Sequence, residues 1–108
     1  MQGFQITFFT QQDRKIHGTS VGVWLLDSAR ELGICGGTLV AASEGLGHKG
    51  KLHSSHFLEL ADQPQEVTFA MTQEETDRLM ALLAQQDERI FFVKTPVEFG
   101  SVGKGADD

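Results

Sequence analysis

Apolar side chains recur along this chain with two periods, and the switches between them mark out its elements. Residues 3 to 9, GFQITFF, set Phe4, Ile6 and Phe8 against Gln5 and Thr7, the period-2 alternation of a half-buried strand. The polar segment TQQDRKIHG predicts a connection, with His17 a cap or turn residue before Gly18. From Ser20 to Leu32 the spacing becomes three and four: Val21, Trp24, Leu25, Ala29 and Leu32 line one helical face. Thr19 or Ser20 can cap its start, and Gly33 stands where a left-handed stop belongs. Ile34 to Ser43 reads as a second strand opened by Gly36-Gly37, with Cys35 a small buried apolar side chain. Residues 57 to 60, FLEL, extend a strand beyond the sheet.

Asp62-Gln63-Pro64 marks a turn, after which Val67, Phe69 and Met71 alternate with Thr68 and Ala70 in a third core strand. Thr72-Gln73-Glu74-Glu75 is a capping box that opens a second helix, presenting Thr76, Leu79, Met80 and Leu83. Asp87-Glu88 is a tight connection, and Arg89 to Val97 forms a fourth strand in which Pro96 indicates an end or an edge.

The order strand, helix, strand, loop, strand, helix, strand predicts an α+β fold. With right-handed crossovers it gives a ferredoxin-like split βαβ (βαββαβ), a four-stranded antiparallel sheet with both helices on one face. Phe9 alternates with Phe8, and Phe91 with Phe92, so apolar side chains must also point to the uncovered face. Self-association accounts for that economically. The expected organisation is one domain over residues 1–99, with a long mobile loop at about 44–56 and a disordered tail over 100–108.

Charge and composition narrow the function. The net charge of −6 argues against a general nucleic-acid binder, and no apolar run approaches the roughly 20 residues of a membrane span. A single cysteine forms no internal disulfide, and no basic-apolar signal opens the chain, which places it in the cytoplasm. The acids are unevenly spread. Residues 62 to 88 hold seven against Arg78 alone, whereas residues 45 to 57 hold Lys49 and Lys51 and no acid. A locally positive loop on an acidic body suits a small anion.

That loop carries the candidate chemistry. In EGLGHKGK, Gly45, Gly47 and Gly50 can let successive N–H groups converge on an anion, and Lys49 and Lys51 can close over a phosphate. The alternative is a mobile hairpin whose glycines serve only turns. His48, His53 and His56 are possible metal ligands, although an i, i+3 pair on a strand points to opposite faces. Exposed or hydrogen-bonded loop histidines are the simpler reading. Glu44 can orient a ligand hydroxyl or end a strand in solvent. No nucleophile elbow and no acid/base pair is present, so no catalytic residue is assigned.

The run HGTSVGVWLLDSARELGICGGTLVAASEGLGHKGKLHSSHFLEL resembles the PII-like proteins grouped as domain of unknown function 190, over about residues 3 to 97. Its most specific part is Glu44-Gly45-Leu46-Gly47 followed by Gly50 and His53. The loop is also similar to the GFGRQKGH base of the mobile loop in nitrogen-regulatory PII signal proteins, and RIFFVKTPVEF to their last strand. The resemblance implies a homotrimer with clefts between subunits, an adenine nucleotide as ligand, and a loop that regulates a partner protein. It implies that Gly45, Gly47, His48, Lys49 and Gly50 surround a phosphate, with Arg89 a second cationic contact. Two departures stand out. Gln85-Gln86-Asp87-Glu88 replaces a second glycine-rich loop, and the absence of any tyrosine rules out uridylylation at tyrosine.

The sequence therefore points first to a non-enzymatic sensor of a nucleotide or other small anion. The candidate site is Glu44, Gly45, Gly47, His48, Lys49, Gly50, Lys51, His53 and Arg89. The alternatives are a copper- or zinc-binding protein of copper-tolerance type, through His48, His53, His56 or Cys35, and a small ferredoxin-like enzyme.

Overall fold

The computed structural model describes residues 1–41, 44–46, 52–54 and 63–105. Its chain order is β1 (Gln2–Gln11), β2 (Lys15–Ile16), β3 (Thr19–Ser20), α1 (Val21–Glu31), β4 (Thr38–Ala41), β5 (Glu44–Leu46), β6 (Leu52–Ser54), β7 (Pro64–Thr72), α2 (Gln73–Leu83) and β8 (Phe91–Glu98). The main sheet has the order β4-β7-β1-β8 and every pair in it is antiparallel.

Alternation along β1 and β7 divides the sheet into two faces. Ile6, Phe8, Val67, Phe69 and Met71 point inward and join Val21, Leu25 and Ala29 of α1 and Leu79 of α2 in one core. Phe8 and Phe69 meet edge-to-face, with ring centroids 6.1 Å apart. On the other face Phe9 lies across from Phe91, with ring centroids 5.7 Å apart, and the hydroxyls of Thr7 and Thr68 share a 2.9 Å hydrogen bond. Phe91 is 68% exposed and Val40 52%, so apolar side chains do stand on the uncovered side. The expected sheet, helix placement and bare apolar face are all present.

Four local expectations are corrected. The TQQDRKIHG connection contains the small β2–β3 hairpin, turned through His17 and Gly18 at φ +51° and +81°. Two successive positive φ values match the right-handed twist of the flanking strands, and they let Ile16 reach the core. Second, β4 does not begin at Ile34. The N–H of Ile34 donates to the Ala29 carbonyl (2.8 Å) and that of Gly33 to Arg30 (3.0 Å), a helix stop with Gly33 at φ +79°. Ile34 is thus the apolar residue that seals α1, which starts the strand at Thr38. Third, the same turn leaves Cys35 exposed instead of buried. Fourth, Ser20 occupies the N-cap of α1 but its side chain makes no capping bond; the N–H of Val21 goes to the Arg14 carbonyl instead (3.0 Å).

The capping box that opens α2 is present as read. Thr72 accepts from the N–H of Glu75, and the Glu75 carboxylate accepts from the N–H of Thr72. Pro96 lies in β8, an outer strand of the sheet, where its missing N–H need cost no ladder bond. Residues 57–60 and Asp62 lie outside the described residues.

Candidate functional site

Four strand ends of the main sheet gather at one pole. The register aligns Ala41 with Gln65 and Gln65 with Thr10, and Phe9 lies opposite Phe91. The exit of β4, the entry of β7, the exit of β1 and the entry of β8 therefore share one end of the sheet. The β2–β3 hairpin and the 84–90 connection leave from that end, and so does the segment that carries β5 and β6.

Of the predicted site residues, Glu44 and Gly45 lie in β5 and His53 in β6. These strands pair as a separate antiparallel ribbon, with Gly45 opposite His53 and Glu44 opposite Ser54. The expected loop thus begins and ends as a hairpin with a fixed register, joined by residues 47–51. Gly47, His48, Lys49, Gly50 and Lys51 lie outside the described residues, as does His56.

Arg89 stands elsewhere on the same pole. It is exposed, just ahead of β8, and forms no ion pair among the described residues. The β4 and β8 edges are three strand spacings apart, roughly 14 Å at about 4.8 Å each. In one chain, then, the loop departs at one edge of the sheet and Arg89 enters at the other.

Arg14 and its partners fix the 84–90 connection. The Arg14 Nε–H donates to Glu88 Oε1 at 2.5 Å, and its Nη2 donates to the Arg89 carbonyl. His17 Nε2 lies 3.1 Å from Gln86 Oε1, and Gln86 Nε2 donates to the Leu82 carbonyl at 3.1 Å. Both side chains of the ion pair are about three-quarters buried, with 23% and 28% exposure. Beneath it lies an apolar hollow of about 200 Å³, lined by Phe8, Met80, Leu83, Ala84, Glu88, Ile90 and Phe92. Sequence reasoning found His17 as a turn residue but missed Arg14. Its partner is 74 positions away, and no local pattern connects the two.

Among the described residues no three His, Cys, Asp or Glu side chains are grouped to hold a metal ion, and no helix is long and apolar enough to cross a membrane.

A four-stranded antiparallel sheet in this order, with two helices on one face, is the ferredoxin-like fold of PII-like proteins. The chain belongs to the DUF190 family (Uncharacterized ACR), whose model matches residues 3–99. Among solved structures it is similar to CPII, a nitrogen regulatory PII-like protein from Thiomonas intermedia K12 bound to ADP, AMP and bicarbonate. That match has a TM-score of 0.59 and 16% identity and covers 90% of this chain and 89% of CPII. A putative PII-like signaling protein from Thermus thermophilus matches with a TM-score of 0.60 and 14% identity, over 89% of this chain and 86% of that one. CPII bound to ADP and bicarbonate matches with a TM-score of 0.54 and 18% identity, over 90% and 89% of the two chains. No curated protein matches the chain by sequence.

Proposed function

We propose that this protein is a PII-like sensor: a homotrimer that binds a small anion, an adenine nucleotide or bicarbonate, in clefts between subunits and regulates a partner protein through its 44–56 loop. The observation that carries the reading is the separation of the two parts of the candidate site. The ribbon holding Glu44, Gly45 and His53 arises beyond β4, whereas Arg89 precedes β8 at the opposite edge. A cleft using both parts forms when the β4 edge of one copy lies beside the β8 edge of the next. Such a head-to-tail contact closes into a three-membered ring when each copy is rotated a third of a turn from the last.

Within that cleft the N–H groups of Gly45, Gly47 and Gly50 would face the anion, with Lys49, Lys51 and Arg89 supplying charge and His48 and His53 hydrogen bonds. Residues 47–51 link the two paired strands, so a ligand held there would change what the loop offers a partner. That CPII was solved with ADP, AMP and bicarbonate supports this ligand class. Calorimetric titration with ADP, AMP and bicarbonate tests it. Binding that Arg89→Ala weakens at least about tenfold is expected; no heat with any of the three would overturn it.

A further inference from the structure

We propose that a second copy of this chain covers the outer face of the sheet, and that Glu66, the one charged side chain on that face among the described residues, makes the assembly proton-dependent. The inference rests on the homotrimer of the sensor reading and concerns what regulates its formation.

The strand registers define the face. Glu66 lies opposite Phe9 of β1 on one side and Val40 of β4 on the other, and Phe9 lies opposite Phe91, so one row across the sheet reads Phe91–Phe9–Glu66–Val40. Burial alternates along β7: Gln65, Val67, Phe69 and Met71 are buried, and the even-numbered residues turn outward. The next row, Val93–Thr7–Thr68–Thr38, is uncharged. Neither β1 nor β4 holds a charged residue, and Glu66 is the only one in β7. The charged residues of β8 turn the other way. Lys94 stands 4.6 Å over the Phe4 ring on the helix side, and Glu98 follows it at the same alternation. Glu66 itself is partly buried and forms no ion pair among the described residues.

Depletion of charge marks the core of an interface, and here it also points to the occupant. The chain carries a net charge of −6, and its helix side presents Glu31, Glu74 and Asp77 exposed. A cationic partner would gain more there than on a face with one carboxylate. Two acidic copies, by contrast, meet with least repulsion through the face that holds the fewest acids. That contact also takes the exposed Phe91 and Val40 out of water. Glu66 opposes it. Phe9 and Val40 flank the carboxylate and Thr68 stands beside it on its own strand, so no titratable side chain of β1, β4, β7 or β8 faces it among the described residues. A second copy of the same face brings another carboxylate and no cation. Burial without a counter-charge disfavours the ionised form, so the assembled state holds a proton on Glu66 more tightly than the free chain does. Assembly thus takes up protons and strengthens as pH falls.

Sedimentation velocity over a dilution series tests this on the full chain, Glu66→Gln and Glu31→Gln, with circular dichroism confirming that each is folded. The range would run from about pH 8 to about pH 6, above the isoelectric point of about 5.1. Glu31→Gln removes the same charge from the helix side and so reports the effect of net charge alone. The unaltered chain is expected to assemble more tightly at the lower pH. Glu66→Gln is expected to lower the dissociation concentration at least about tenfold at the upper pH and to flatten its pH dependence, with Glu31→Gln within about twofold of the unaltered chain. The same pH dependence in all three would overturn the inference and leave the sensor reading standing. So would a Glu66→Gln that assembles no more tightly than Glu31→Gln, because a cation from the neighbouring copy would then be meeting the carboxylate. If none of the three associates at any concentration, the inference and the homotrimer fail together, while anion binding is judged separately by the calorimetric titrations.

Discussion

Thr72 and Glu75 satisfy one another across the first turn of α2, and each removes an N–H that would otherwise lack a partner there. Thr72→Ala should cost about 1 kcal/mol and lower the thermal midpoint by roughly 4–8 °C, read by circular dichroism. Gly33 acts through its backbone alone: nothing lies within 4 Å of where its Cβ would stand, but its φ is +79°. Gly33→Ala is expected to destabilise by about 1 kcal/mol with no change in packing, seen as a lower denaturant midpoint at constant slope. Both features were legible in the sequence, because capping and helix stops depend on residues three or four apart. Arg14 and Glu88 were not legible. Their contact is made by the fold and has no local signature.

The strands and helices follow the periodicities, and the deviations have specific causes. Ile34 belongs to an apolar run that reads equally well as strand or as the residue after a helix stop. The bond from its N–H to the Ala29 carbonyl decides for the stop, and Cys35 is turned outward as a result. The β2–β3 hairpin was hidden because only Ile16 among its residues is buried, too little for a period to show. At about residues 44–56 the sequence indicated a polar glycine-rich loop. The β5–β6 register pairs Gly45 with His53, a pairing no alternation announces. Leu79 connects α2 to the core and is fully buried. Leu79→Ala should cost about 2–5 kcal/mol in chemical unfolding, leaving the chain marginal at 37 °C.

For the whole molecule, the question is what covers the outer face of the sheet. Phe9, Phe91, Val93 and Val40 form an apolar surface there, with Phe91 more exposed than Phe92 on the opposite face. Placing a charge at Phe91 should leave the core intact and act on assembly, since a buried unpaired carboxylate disfavours an interface. Phe91→Asp is expected to elute as a folded monomer in size-exclusion chromatography with light scattering, whereas the unaltered chain is expected to elute as the proposed trimer. The resemblance read from Glu44-Gly45-Leu46-Gly47, Gly50 and His53 reached the family and the fold. The division of the candidate site between two edges of the sheet is visible only once the strand order is known.

Native mass spectrometry of the full chain with ADP, compared with Arg89→Ala, tests the central claim most directly, because mass reports assembly and occupancy together. The expected result is a trimer taking up one nucleotide per chain, with occupancy lost in Arg89→Ala and the trimer retained. A chain that stays monomeric, or a trimer that takes up neither ADP, AMP nor bicarbonate, would contradict an anion site built from two copies.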